Sequence, residues 1–109
     1  MAAKRKHNRK KTIYILNIVD PDNPDKSGRG AVIDISMGGA AFECEQKFEK
    51  GESVELRFNL SKDKIFILTG TVKRVKKRTA GALLHGVQFN KLCLTDKFKL
   101  YKLIKKITK

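Results

Sequence analysis

The sequence predicts a mainly β fold: a six-stranded antiparallel β-barrel followed by one C-terminal α-helix. Three observations carry this. About six short runs rich in β-branched and aromatic residues recur along 109 residues, each bounded by Gly, Pro, Asn, Asp or Lys clusters. Several of these runs alternate apolar and polar residues, as half-buried antiparallel strands do. After Leu94 the apolar spacing changes from two to that of a helix. Closure into a small barrel, or into a closely wrapped sheet, spares such short strands free edges.

Met1 to Lys11 holds Lys4, Arg5, Lys6, Arg9, Lys10 and Lys11, with only Met1, Ala2 and Ala3 apolar. Charges this dense repel, and the stretch is expected to be a flexible basic arm. Thr12 to Val19 is apolar almost throughout and predicts a strand buried on both faces for much of its length. Asp20 to Gly30 (DPDNPDKSGRG) is turn chemistry and predicts a long exposed loop. Ala31 to Ser36 then reads as a strand, with Ile33 and Ile35 on one face and Asp34 and Ser36 on the other. Met37-Gly38-Gly39 is the tight turn after it.

Ala40 to Glu45 alternates, with Ala40, Phe42 and Cys44 inward. Lys50-Gly51-Glu52 is a turn, and Ser53 to Leu60 alternates again, with Val54, Leu56, Phe58 and Leu60 inward. Ser61 to Lys64 is a second turn. Ile65 to Val75 is a long strand whose period slips near Gly70, which predicts a bulge or bend there. Lys76 to Gly81 is a basic hairpin loop, and Ala82 to Phe89 is the last strand. In the helix, Thr95 is the expected N-cap and Asp96 favours the positive end of the dipole. Leu94, Phe98, Leu100, Tyr101, Leu103, Ile104 and Ile107 form one apolar stripe among lysines. That stripe should cover an open barrel end, and the lysine-rich remainder suits solvent, an acidic partner or a membrane surface.

The chain is one domain by length. Its formal net charge is +14, from 25 Lys+Arg against 11 Asp+Glu, which calls for an anionic partner. No apolar run reaches membrane-span length and no signal-peptide pattern follows the basic start, so a cytoplasmic protein is expected. Cys44 and Cys93 make no metal-ligand pair and are expected to be buried small hydrophobes. His7 and His85 share no ligand spacing, so neither a metal nor a cofactor is implied. No Ser/His/Asp set or carboxylate cluster argues for an enzyme.

Two stretches combine. Arg5-x-x-x-Arg9 is followed, 25 residues after Arg9, by Asp34-x-Ser36-x-x-Gly39. In order, on an arm and a strand end, they resemble the paired signature of the PilZ domain, the bacterial receptor for cyclic di-GMP. Lys50-Gly51-Glu52 resembles the family's mid-barrel turn, Gly86-Val87-Gln88-Phe89 its closing strand, and a terminal helix is common in it. The resemblance covers nearly the whole chain from Arg5 onward. It implies a single PilZ domain over 1–109, with the arm at 1–11, the barrel at 12–92 and the helix at 93–109.

The residue types suit such a ligand. An arginine fork meets guanine O6 and N7, or a phosphate, with two hydrogen bonds. Arg5 and Arg9 are therefore expected to clamp those groups. The two oxygens of one carboxylate suit the N1–H and N2–H donors of guanine, the role assigned to Asp34. Ser36 would bond the base or a phosphate, and Gly38 and Gly39 would offer backbone N–H groups and clearance. The resemblance further implies that the arm wraps over the nucleotide on binding. Members take one nucleotide or an intercalated pair, and the residue before the first arginine, here Lys4, is implicated in that choice.

Only four residues precede Arg5, so the output is expected to pass to a protein partner in trans, through the arm surface or the lysine-rich helix. Two other readings compete. A basic small barrel of the OB type could bind nucleic acid, but its aromatics would be on the binding face, and here they read mostly as core. A PilZ-type adaptor that binds no nucleotide is disfavoured by the complete Arg5, Arg9, Asp34, Ser36 and Gly39 set.

Overall fold

The computed structural model of the chain describes residues 14–61, 63–78 and 81–108. Six strands precede one helix: β1 (Tyr14–Asp20), β2 (Asn23–Ile35), β3 (Gly39–Cys44), β4 (Ser53–Ser61), β5 (Lys64–Lys77), β6 (Leu83–Phe89) and α1 (Leu94–Thr108). They close in the order β1-β2-β3-β6-β5-β4, every neighbour antiparallel, with β1 paired to β4. The expected barrel and helix are both present.

Alternation builds the interior. Leu16 and Ile18 of β1, Phe42 of β3, Val54, Leu56 and Phe58 of β4 and Val72 of β5 are wholly inaccessible to solvent. At one end the connection from β3 to β4 drops Phe48 onto His85, whose ring lies between Phe42, stacked at 5.0 Å, and Phe48, edge-on at 5.7 Å. At the other end lie the start of β1, the β2–β3 and β4–β5 turns and the end of β6. There Leu100 and Leu103 of α1 join the core, with Ile104 and Ile107 packed against it.

Several expectations need correction. The long loop at 20–30 is mostly strand: only Pro21 and Asp22 turn, and Asn23 to Gly30 continue β2 along β1, with Gly28 opposite Ile18. Turn-type residues are tolerated because β3 passes close by. A Cβ at Gly30 would lie 2.4 Å from the Glu43 carbonyl oxygen. β1 is buried on one face only, since Ile15 and Asn17 face out. The irregularity in β5 is at Lys73, between Val72 and Arg74, three residues beyond Gly70. Gly70 instead lets β6 approach, a Cβ there lying 2.6 Å from the Gln88 carbonyl oxygen.

In α1 the Lys97 amide bonds the Cys93 carbonyl at 3.0 Å, so the helix begins before Thr95, which lies inside its first turn. Its apolar residues divide between two faces. Leu100 and Leu103 are buried, whereas Leu94, Phe98 and Tyr101 are exposed. Cys44 is buried and Cys93 is exposed. Burial pushes the Cys44 thiol up to about 11, so it remains protonated and inert.

Candidate functional site

The β2–β3 connection is built by local hydrogen bonding. The Ser36 amide donates to the Gly39 carbonyl at 2.8 Å, and the Gly38 amide donates to Ser36 Oγ at 3.3 Å. The turn is tied to β6 through Phe89 N–H and the Gly38 carbonyl, 2.9 Å apart. The two glycines differ in kind. A Cβ at Gly39 would lie 2.2 Å from the Val87 carbonyl oxygen, so this glycine exists for strand packing. A Cβ at Gly38 would meet nothing within 4 Å, so its surroundings are open.

Asp34 owes its direction to a bulge. The β2–β3 register slips between Val32 and Asp34, leaving Ile33 without a partner residue on β3. Val32 and Ile35 are consequently buried, and Ile33 and Asp34 are both exposed. The expected sharing of one face by Ile33 and Ile35 is thereby broken, while Asp34 and Ser36 both face solvent.

The register continues sideways from Asp34 in one row. Asp34 is opposite Ala41, Ala41 opposite Gly86 and Gly86 opposite Arg74. The row faces outward, because the neighbours Ala40, Phe42, His85 and Val87 all point into the core. Two small residues thus floor a shallow trough with a carboxylate on one rim and a guanidinium on the other. Three interstrand intervals of about 4.8 Å set its width at about 14 Å. Arg74 leans inward over the floor: its Nε lies 3.9 Å from where a Gly86 Cβ would be. Among the described residues neither Asp34 nor Arg74 has a salt-bridge partner, whereas Glu43 on the same wall is paired with Arg78 at 2.8 Å.

Arg74 is absent from the sequence-derived set. Its only signal was the slip of period between Val72 and Val75, and the bulge at Lys73 that causes it turns Arg74 to the outer face. Arg5, Arg9 and Lys4 lie outside the described residues. Tyr14, where the described chain begins, is opposite Val32, two residues before Asp34.

Other chemistry is sparse among the described residues. No three His, Cys, Asp or Glu side chains converge to hold a metal ion, and no helix is long and apolar enough to cross a membrane. His85 is buried, accepts the Phe48 amide on Nε2 at 3.1 Å and has its pKa pushed down by that burial, which makes it a core residue.

The family model of the PilZ domain matches residues 3–106. No curated protein matches the chain. Among solved structures, the chain is similar to the PilZ domain of CeSA from a cellulose-synthesizing bacterium, at 20% identity and TM-score 0.65, over 93% of this chain and 98% of that one. It is also similar to the PilZ domain of YcgR from Escherichia coli, determined with c-di-GMP, at 16% identity and TM-score 0.71, over 96% and 92% of the two chains. The Bacillus subtilis inhibitor of motility MotI/DgrA is 17% identical with TM-score 0.65, over 96% of this chain and 51% of that one. At these identities the likeness shows the fold.

Proposed function

Because the chain belongs to the PilZ domain family, we propose that it is a receptor for cyclic di-GMP that acts by binding and performs no catalysis. The observation that carries this reading is the placement of Tyr14 beside Asp34 through its pairing with Val32. Arg9 is five residues before Tyr14, and five residues of chain span at most about 17 Å. That reach keeps Arg9 near the rim of the trough that Asp34 borders, while Arg5, nine residues before Tyr14, has a reach of at most about 31 Å.

The ligand lies over Ala41 and Gly86, where bulk is least. Asp34 takes the N1–H and N2–H donors of a guanine, and Arg5 and Arg9 close from the arm side onto phosphate and the O6/N7 edge. Ser36 and the open Gly38 border the base or a phosphate. Arg74 closes the far rim, giving the anionic ligand arginine on both sides. Lys4 bears on whether one or two nucleotides are held. Ordering the arm costs conformational entropy, offset by charge-assisted hydrogen bonds. The covered arm is then the new surface read by a protein partner in trans.

Nucleic-acid binding is the second reading, favoured by the charge alone. Phe42, Phe48, Phe58, Phe66 and Phe89 are in the core, which leaves only the half-buried Tyr14 as an aromatic ring on the barrel wall among the described residues, short of a base-stacking platform.

Thermal unfolding with and without cyclic di-GMP tests the proposal. At about 100 times the dissociation constant the ligand should stabilise the protein by about 2.7 kcal/mol, a rise of about 10 °C or more in midpoint for a domain of this size. The shift should survive bulk RNA, which competes with nonspecific polyanion binding. No shift at saturating ligand, or an equal one with GMP, would sink the assignment.

A further inference from the structure

The outer face of α1 is not explained by the fold or by nucleotide binding. At 3.6 residues per turn, Leu94, Phe98, Tyr101 and Lys105 fall in one narrow sector, opposite the buried Leu100 and Leu103. Leu94 is 80%, Phe98 61% and Tyr101 52% exposed, large values for side chains of this kind gathered on one helix. Each ring carries an ammonium four residues on. Lys102 Nζ lies 4.9 Å from the Phe98 centroid and Lys105 Nζ 5.4 Å from that of Tyr101. The tip of the β4–β5 hairpin is next to this face: Lys64 and Ile65, with the acid Asp63, share a surface hollow with Lys99, Lys102 and Lys106.

We propose that this face docks the protein on an anionic lipid surface. Charge chemistry decides between a bilayer and an acidic protein. From Leu94 to Thr108 every basic residue is lysine (Lys97, Lys99, Lys102, Lys105 and Lys106), and the lone acid is Asp96. The arginines of the described residues are all on the barrel, at 29, 57, 74 and 78. Protein interfaces favour arginine and are depleted in lysine. Lysine is a hydrated point charge without a fork, suited to a diffuse sheet of headgroup phosphates rather than to fixed carboxylates. The apolar component is convex and lies on a single helix, which fits shallow insertion in the plane of an interface and not a lock into a groove. In water the ammonium groups shield the rings. At a headgroup layer they exchange ring for phosphate, and the rings enter the acyl boundary while the lysine stems reach back to the polar layer.

Vesicle flotation of the full chain tests this, comparing phosphatidylcholine alone with phosphatidylcholine containing phosphatidylglycerol. Binding is expected only with phosphatidylglycerol. Phe98→Ser with Tyr101→Ser should lower it about tenfold or more without moving the thermal midpoint, because both side chains are in solvent. Lys97→Gln, Lys102→Gln and Lys105→Gln together should lower it about a hundredfold, at about fivefold per charge. A control removes the same charge from the opposite barrel end through Lys47→Gln, Lys50→Gln and Lys77→Gln, and should change binding by less than about threefold. An equal loss in the control would reduce the effect to net charge and overturn the proposal. Absence of binding to phosphatidylglycerol vesicles would also overturn it, as would equally tight binding to soluble poly-glutamate that ignores Phe98 and Tyr101. None of these readouts involves cyclic di-GMP, so failure here and failure of the receptor reading are separable.

Discussion

His85 shows how much one side chain can report at the residue scale. Its Nε2 accepts the buried Phe48 amide, so only the neutral ring fits, and burial holds its pKa below the ordinary 6.5. The unfolded chain therefore binds this proton first, and the site's contribution is complete above about pH 6.5 and lost as the pH falls below it. Thermal midpoints should decline on acidification through that window, and His85→Gln should flatten the decline. That variant should also cost about 1–3 kcal/mol at neutral pH if the Phe48 amide loses its partner. Glu52 acts in a separate window. Hydrogen bonds from Lys26, foremost, hold its carboxyl below the ordinary 4.5, so its contribution is kept above that value and lost in more acidic solution. At the trough, Arg74→Ala should weaken cyclic di-GMP binding by about 1–3 kcal/mol in titration calorimetry, and Arg74→Lys should restore charge without the fork. Asp34→Ala should relax the preference for guanine, whereas Arg9→Ala should weaken every anionic ligand.

At the scale of elements, Gly38 and Gly39 are neighbours in sequence and opposites in consequence. Gly39→Ala forces a Cβ into the Val87 carbonyl and should destabilise the barrel by more than about 2 kcal/mol. Gly38→Ala should leave chemical denaturation within about 0.5 kcal/mol of the parent, so any loss of ligand affinity in it reads clearance alone. Strand existence was legible where apolar residues alternate, as in β3 and β4, because a single buried face writes a period of two into the chain. It was illegible in the first half of β2. There Gly28 and Gly30 answer to the approach of β3, and local composition carries no trace of a neighbour that is distant in sequence. The register slip at Ile33 in β2 falls in this category too. The slip in β5 was visible, yet its position depended on pairing with β6, and with it went Arg74. The helix was legible as a helix, but which apolar residues it buries was set by the barrel end it meets. Leu103→Ala should cost about 2–5 kcal/mol, and Phe98→Ala on the outer face should leave the midpoint nearly unchanged.

At the scale of the whole molecule, a net charge of +14 on 109 residues opposes compaction. Added salt should therefore raise the thermal midpoint at low ionic strength, by screening repulsion over roughly a Debye length of about 10 Å at 0.1 M. An anionic ligand does the same locally, so the two stabilisations should be less than additive. The closed barrel fixes both rims of the trough to strands of one sheet. Tyr14 pairs with Val32, two residues before Asp34, so on the proposed reading Arg9, five residues before Tyr14, would meet a nucleotide bound there at an effective concentration set by that short stretch, in the millimolar range for short flexible links. On that reading arm and barrel would behave as a bivalent receptor folded into one chain. Supplied as a separate peptide, residues 1–11 should rescue an arm-deleted barrel only at comparable millimolar concentrations, and lengthening the stretch between Arg9 and Tyr14 should dilute the site without touching a single contact in it.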